Sequence, residues 1–119
     1  DSSYVECTSP TQTRSGSGTI SNCKIVIVGT TIYFGYYIVG NNTIVFTQYN
    51  ITGVYTQYCS IFANNMVYSN KSNIFSFGQY SSVKGNISRY SLTSSTPTGS
   101  DISGNIVNAN MQTISSMEE

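Results

Sequence analysis

Hydrophobic and polar positions alternate along most of the chain, and the pattern becomes regular at Thr19. Ile20, Val26 and Val28 share one parity, while Cys23, Ile25 and Ile27 share the other. Residues 25–28 are therefore apolar on both faces, which predicts a strand buried on two sides. Residues 31–39 form a second run. The Gly40-Asn41-Asn42 cluster after it suits a turn, because glycine and asparagine tolerate positive φ. In 43–49, Ile44 and Phe46 alternate with Val45, Thr47 and Tyr49. Runs 31–39 and 43–49 around that turn predict a β-hairpin. Further turns fall at 50–53, 63–65 and 69–73, and further strands at 54–62, 66–68, 74–80 and 86–92. No helical period persists through this region, and there is no exact internal repeat.

Strands separated by Asn/Gly/Ser turns about every ten residues predict an all-β fold: a single antiparallel β-sandwich of jelly-roll or immunoglobulin-like type. Residues 1–18 read as an N-terminal segment with a Gly/Ser-rich loop, 19–92 as the sandwich core, and 93–119 as a connector and C-terminal strand. That last segment is ambiguous. Val107, Ala109, Met111 and Thr113 alternate with Asn108, Asn110 and Gln112 as in a strand. Ile102 with Ile106, and Val107 with Met111 and Ile114, also fit helical spacing. Gly104, Asn105, Asn108 and Asn110 are poor helix formers, which decides for the strand.

Composition then narrows the setting. The 119 residues carry five basic and five acidic side chains, 8% charged in all, against about 25% in an ordinary soluble domain. Arg14, Lys24, Lys71, Lys84 and Arg89 cannot assemble the basic stripe that phosphate binding needs, so no nucleic-acid partner is expected. Neutral polarity replaces charge: twenty Ser, fourteen Thr and twelve Asn make up 46 of 119 positions. Ten tyrosines and many β-branched residues argue for a folded β protein rather than a disordered one. Residues 25–70 hold no charge, yet their most apolar window, 25–39, is too short and too polar for a membrane-spanning helix. A transmembrane β-barrel would require several copies of a chain this size. The chain starts at Asp1 and shows no apolar leader, which fits a secreted protein whose signal peptide has been removed.

The chemical inventory is thin. There is no histidine, so the common general base and most zinc sites are missing. The carboxylates Asp1, Glu6, Asp101, Glu118 and Glu119 lie near the termini or in the presumed connector and read as exposed charges on flexible segments, although Glu6 and Asp101 could in principle form a glycosidase-like pair. The expectation is a non-enzyme without cofactor or metal. Three cysteines fit no metal motif. In a secreted chain, Cys7–Cys23 is the first choice for a disulfide, stapling the N-terminal segment to the first buried strand, and Cys23–Cys59 is the alternative. Four Asn-x-Ser/Thr sequons place candidate N-glycans on Asn41, Asn50, Asn70 and Asn86, all in or beside expected turns. Tyr33, Tyr36, Tyr37, Tyr49, Tyr55, Tyr58, Tyr68 and Tyr80 suit cross-strand packing or, if exposed, a sugar-stacking surface.

An uncharged, strand-dense chain has an edge problem, because natural sheets blunt exposed edges with Lys, Pro or bulges, and 25–70 offers neither charge nor proline. Pairing between copies answers it: a terminal segment adds as a strand to a neighbour, and a head-to-tail repeat makes an open filament. In its charge-poor Ser/Thr/Asn/Tyr/Ile composition and its sequons at Asn41, Asn50, Asn70 and Asn86, the chain resembles glycosylated extracellular filament subunits and surface proteins of thermoacidophilic archaea. That resemblance implies donor-strand assembly of a homopolymer. The expected function is thus a structural subunit of an extracellular, N-glycosylated, pilus-like polymer at the cell surface. The alternative is a small secreted binding module, lectin-like or a viral surface domain, using exposed tyrosines.

Overall fold

The structure, a computed structural model, describes residues 3–7, 11–15, 18–28, 31–35, 37–47, 53–56 and 59–107; side chains are described from residue 18 onward, except at 32, 34 and 35. The chain passes through three sheets in rotation. It runs β1 (Ser3–Cys7), β2 (Thr11–Ser15) and β3 (Thr19–Ser21), then β4 (Cys23–Ile27), β5 (Thr31–Gly35) and β6 (Ile38–Gly40). The next passages are β7 (Thr43–Phe46), β8 (Gly53–Thr56), β9 (Ile61–Ala63), then β10 (Met66–Tyr68), β11 (Phe75–Phe77), β12 (Ser82–Lys84). It finishes with β13 (Ile87–Ser88) and β14 (Asp101–Ile102). The first sheet stacks β1-β4-β7-β10-β13, the second β11-β8-β5-β2, and the third β14-β12-β9-β6-β3. Every strand pairing is parallel. The molecule is a β-solenoid.

This overturns the antiparallel sandwich. Alternation and turn residues tell where a strand starts and stops, but a turn that reverses the chain and a corner that bends it into the next sheet use the same residues. The expected hairpin across Gly40-Asn41-Asn42 is such a corner: β6 belongs to the third sheet and β7 to the first. Its partners lie one full coil away, with Val39 opposite Ile20 and Phe62, and Ile44 opposite Ile25 and Val67. No helix is needed as a crossover because the other two sheets return the chain to its starting edge.

One inward column from each sheet builds the core. In the third sheet it is Ile20, Val39, Phe62, Val83 and Ile102; in the first it is Ile25, Ile44, Val67 and Ser88, with Val5 at the same register position. Val39, Phe62, Val83, Ile25 and Ile44 are fully buried. From the second sheet come Val54, Phe75 and Phe77, and the rings of Phe46, Phe62, Phe75 and Phe77 touch at centroid distances of 5.1–5.9 Å. The expectation that 25–28 would be buried on two sides holds for β4: Ile25 and Ile27 face the core, and Val26, on the opposite parity, is buried as well.

Candidate functional site

The corner between the third and first sheets carries the most regular chemistry in the molecule. Its first position is always left-handed: Asn22 (φ 55), Asn41 (φ 57), Asn64 (φ 57), Gly85 (φ 72) and Gly104 (φ 67). Only Gly and Asn adopt this conformation without appreciable cost, which is why the corners read like turns. The second position is Cys23, Asn42, Asn65, Asn86 and Asn105, and from Asn42 onward these side chains form a ladder along the stack. Asn42 donates from N–H and Nδ2 to Asn65 Oδ1, at 3.0 and 3.1 Å. Asn65 donates likewise to Asn86 Oδ1 at 2.9 and 3.0 Å, and Asn86 to Asn105 Oδ1 at 3.0 and 2.8 Å. The other Nδ2 hydrogen of each reaches back to a carbonyl: Ile20, Val39, Phe62 and Val83 in turn. Cys23 N–H donates to Asn42 Oδ1, so the thiol stands where the amide series begins. Buried corner amides that the sheets cannot pair are satisfied in this way.

The ladder has a direction. Every N–H points toward the C-terminal end, and at Asn105 the series reaches the last described corner. Its Oδ1 is used by Asn86 and one Nδ2 hydrogen by Val83 O, but among the described residues nothing accepts from its N–H or its second Nδ2 hydrogen. Ile106 already pairs with Ile87, donating to Asn86 O and accepting from Ser88 N–H, so a further first-sheet strand begins there. Beside it, Leu92, Ile102, Asn105 and Val107 line a depression of about 230 Å³ at the end of the core. Ile106 is 59% exposed. Among the described residues, β1, β2, β3, β11 and β14 each pair with a single neighbouring strand, and β13 pairs with β10 and, through Ile87, with Ile106.

The residues singled out from sequence distribute as follows. Asn41 is exposed at its corner and Asn70 is half-buried, whereas Asn86 is fully buried with its amide engaged, so no glycan fits on Asn86 in the folded chain; Asn50 lies outside the described residues. Among the described residues no disulfide is seen. The register sets Cys23 opposite Ser3 and Cys7 opposite Ile27, four positions or about 13 Å along the strands, so β1 and β4 do not bring Cys7 to Cys23. Cys23 and Cys59 are buried thiols, donating to Ser21 O and Ile61 O. Burial pushes the Cys59 thiol up to about 11.

Glu6 on β1 and Asp101 on β14 stand at opposite ends of the stack, about 19 Å apart along it at the usual strand spacing, which rules out a shared acid–base site. Asp101 instead contacts Lys84 Nζ at 2.8 Å and accepts from Ser103 Oγ; the Lys84 contact first, then Ser103, holds its carboxyl below the usual range. Among the described residues no group of three or more His, Cys, Asp or Glu could hold a metal, and no helix is long and apolar enough to cross a membrane. Of the tyrosines, Tyr33 and Tyr55 stack on the outer face of the second sheet at 4.9 Å and 17°, and Tyr37 and Tyr80 are exposed. Tyr36, Tyr49 and Tyr58 lie outside the described residues.

The asparagine ladder is what the sequence reading missed. Its signal is an inexact repeat: an apolar residue, any residue, Asn or Gly, then Asn. It occurs at 39–42, 62–65, 83–86 and 102–105, and at 20–23 with Cys last, at intervals of 19 to 23 residues. No protein-family model, curated protein or solved structure matches the chain.

Proposed function

We propose that the chain is a structural subunit of an extracellular, pilus-like filament, in which copies join end to end by β-strand addition. The single observation that carries this reading is that, among the described residues, the outermost strands of each sheet have a strand neighbour on one side only. Within the molecule, each coil is related to the next by a step along one axis; repeating that step between copies never closes on itself and gives an open polymer. The sparse charge supports it too, since like-charged ends would repel. N-glycans on Asn41 and Asn70 would hydrate the flanks without blocking the ends. In this reading the protein needs no cofactor and performs no catalysis. Size-exclusion chromatography and negative-stain images of the purified chain test it: long unbranched polymers are expected, and a monodisperse monomer at high concentration overturns it.

The stacked, partly exposed Tyr33–Tyr55 pair favours one second reading, a carbohydrate-binding flank, because aromatic rings pack on the apolar faces of sugars. Titrating tyrosine fluorescence with soluble polysaccharides, in the native chain and in Tyr33→Ala, decides between a specific site and none.

A further inference from the structure

Resting on the end-to-end reading, we infer that Asn105 is the key of the joint, fixing its polarity and register, and that its occupant is the N-terminal edge of a second copy. An oxygen sits against the N–H and Nδ2 of Asn42, Asn65 and Asn86 in the same way, 2.8–3.1 Å from both donors. Asn105 offers the same two donors at the end of the series, in a depression lined by Leu92, Ile102 and Val107 together with Ser91, Thr93 and Ser103. Burying such donors unpaired is costly, so the position selects an incoming chain with an acceptor at that corner.

The molecule's own register says which residue arrives. Ser3 stands at the corner register position, opposite Cys23, and Tyr4 stands in register with Lys24, Thr43, Met66 and Ile87. Stacking a second copy by the internal step therefore sets its Ser3 above Asn105, where serine offers a hydroxyl oxygen. The same step sets its Tyr4 opposite the exposed Ile106 and continues the parallel ladder from Ile106 into the incoming β1. At the other end the column begins with Ser3 and Cys23, which have no side-chain amide, so the two ends differ chemically. Growth is then head to tail and never tail to tail.

The experiment is chain termination. Asn105→Asp keeps the Oδ1 acceptor that Asn86 uses and replaces the Nδ2 donors with an oxygen; Asn105→Ser, a shorter side chain without the amide, is the second variant should the aspartate disturb folding. Each variant alone is expected to keep the native circular dichroism, with an unfolding midpoint lowered by the lost Nδ2 bond to Val83 O, yet remain monomeric. Mixed with native chain at about one copy in ten, it joins by its intact N-terminal edge, blocks further growth, and limits polymers to about ten copies, the reciprocal of its fraction. Unchanged polymer length in the mixture, or polymers of the variants alone, overturns the inference while leaving end-to-end assembly standing. Native chain that never polymerises sinks the filament reading itself, and the inference with it.

Discussion

Asn65 uses its amide completely. Its Oδ1 accepts from Asn42 N–H and Nδ2, and its Nδ2 donates to Val39 O and Asn86 Oδ1, all with 1% of the residue exposed. Asn65→Ala strands the Asn42 N–H and the Val39 carbonyl in a dry corner, and the expected loss is about 3–5 kcal/mol in urea unfolding. Asn64→Gly, one residue earlier at the exposed left-handed position, is expected to shift stability by less than about 1 kcal/mol, because glycine adopts positive φ freely. Cys59 adds a pH dependence. Its folded pKa of about 11 stands above the ordinary 9.0, so the folded state holds its proton more tightly than the unfolded state. The associated stability is complete below 9.0 and is lost as pH rises through about 11; chemical unfolding from pH 8 to 11 should show a steeper decline in the native chain than in Cys59→Ala. Neither role was legible in the sequence. Buried asparagines run against the usual exposure of that residue, so the composition spoke first of turns and glycans.

Strands of two to five residues cannot stand alone, and each here is fixed by neighbours one coil away. Phe75 shows how. It stacks on Phe77 at 5.5 Å, meets Phe46 edge-on and tilts against Phe62, so one side chain of β11 touches strands of all three sheets. Phe75→Ala is expected to cost about 3–5 kcal/mol by equilibrium unfolding. The corners are as demanding as the strands: a Cβ on Gly85 would be strained by the backbone at φ +72 and would press on Asn64 Oδ1. Gly85→Ala should therefore destabilise by about 1–2 kcal/mol, in contrast to Asn64→Gly. At this scale the sequence was informative about location. It marked β4 as buried on both faces and set turn residues at 40–42 and 63–65, where corners occur. It was silent on which strand each one pairs with.

At the scale of the whole molecule, pairing order controls everything that follows. A sandwich subunit would offer a donated strand and an acceptor groove, whereas a parallel solenoid offers its two ends. Filaments built by extending the stack would carry their strands perpendicular to the filament axis. Aligned fibres are then expected to diffract at about 4.7–4.8 Å along the meridian, the spacing of hydrogen-bonded strands. Lateral association through the second sheet would leave that reflection intact and would itself be weakened by Tyr33→Ala. Because each coil contacts only its neighbours, stability should also be distributed nearly evenly along the stack rather than concentrated in one nucleus.

By itself the sequence determined that this protein is made of strands, because Thr, Tyr, Val and Ile suit a pleated surface and Ser and Asn compete with helices. It also fixed where the chain bends, through Asn and Gly at positions needing positive φ, and it set the near absence of charge. That the strands run parallel, that the bends are corners, and that Asn42, Asn65, Asn86 and Asn105 form one column follows from packing between coils alone. The reason is physical: alternation and turn propensity are local, whereas pairing joins residues about twenty apart. The ladder that selects this register exists only once successive coils are stacked.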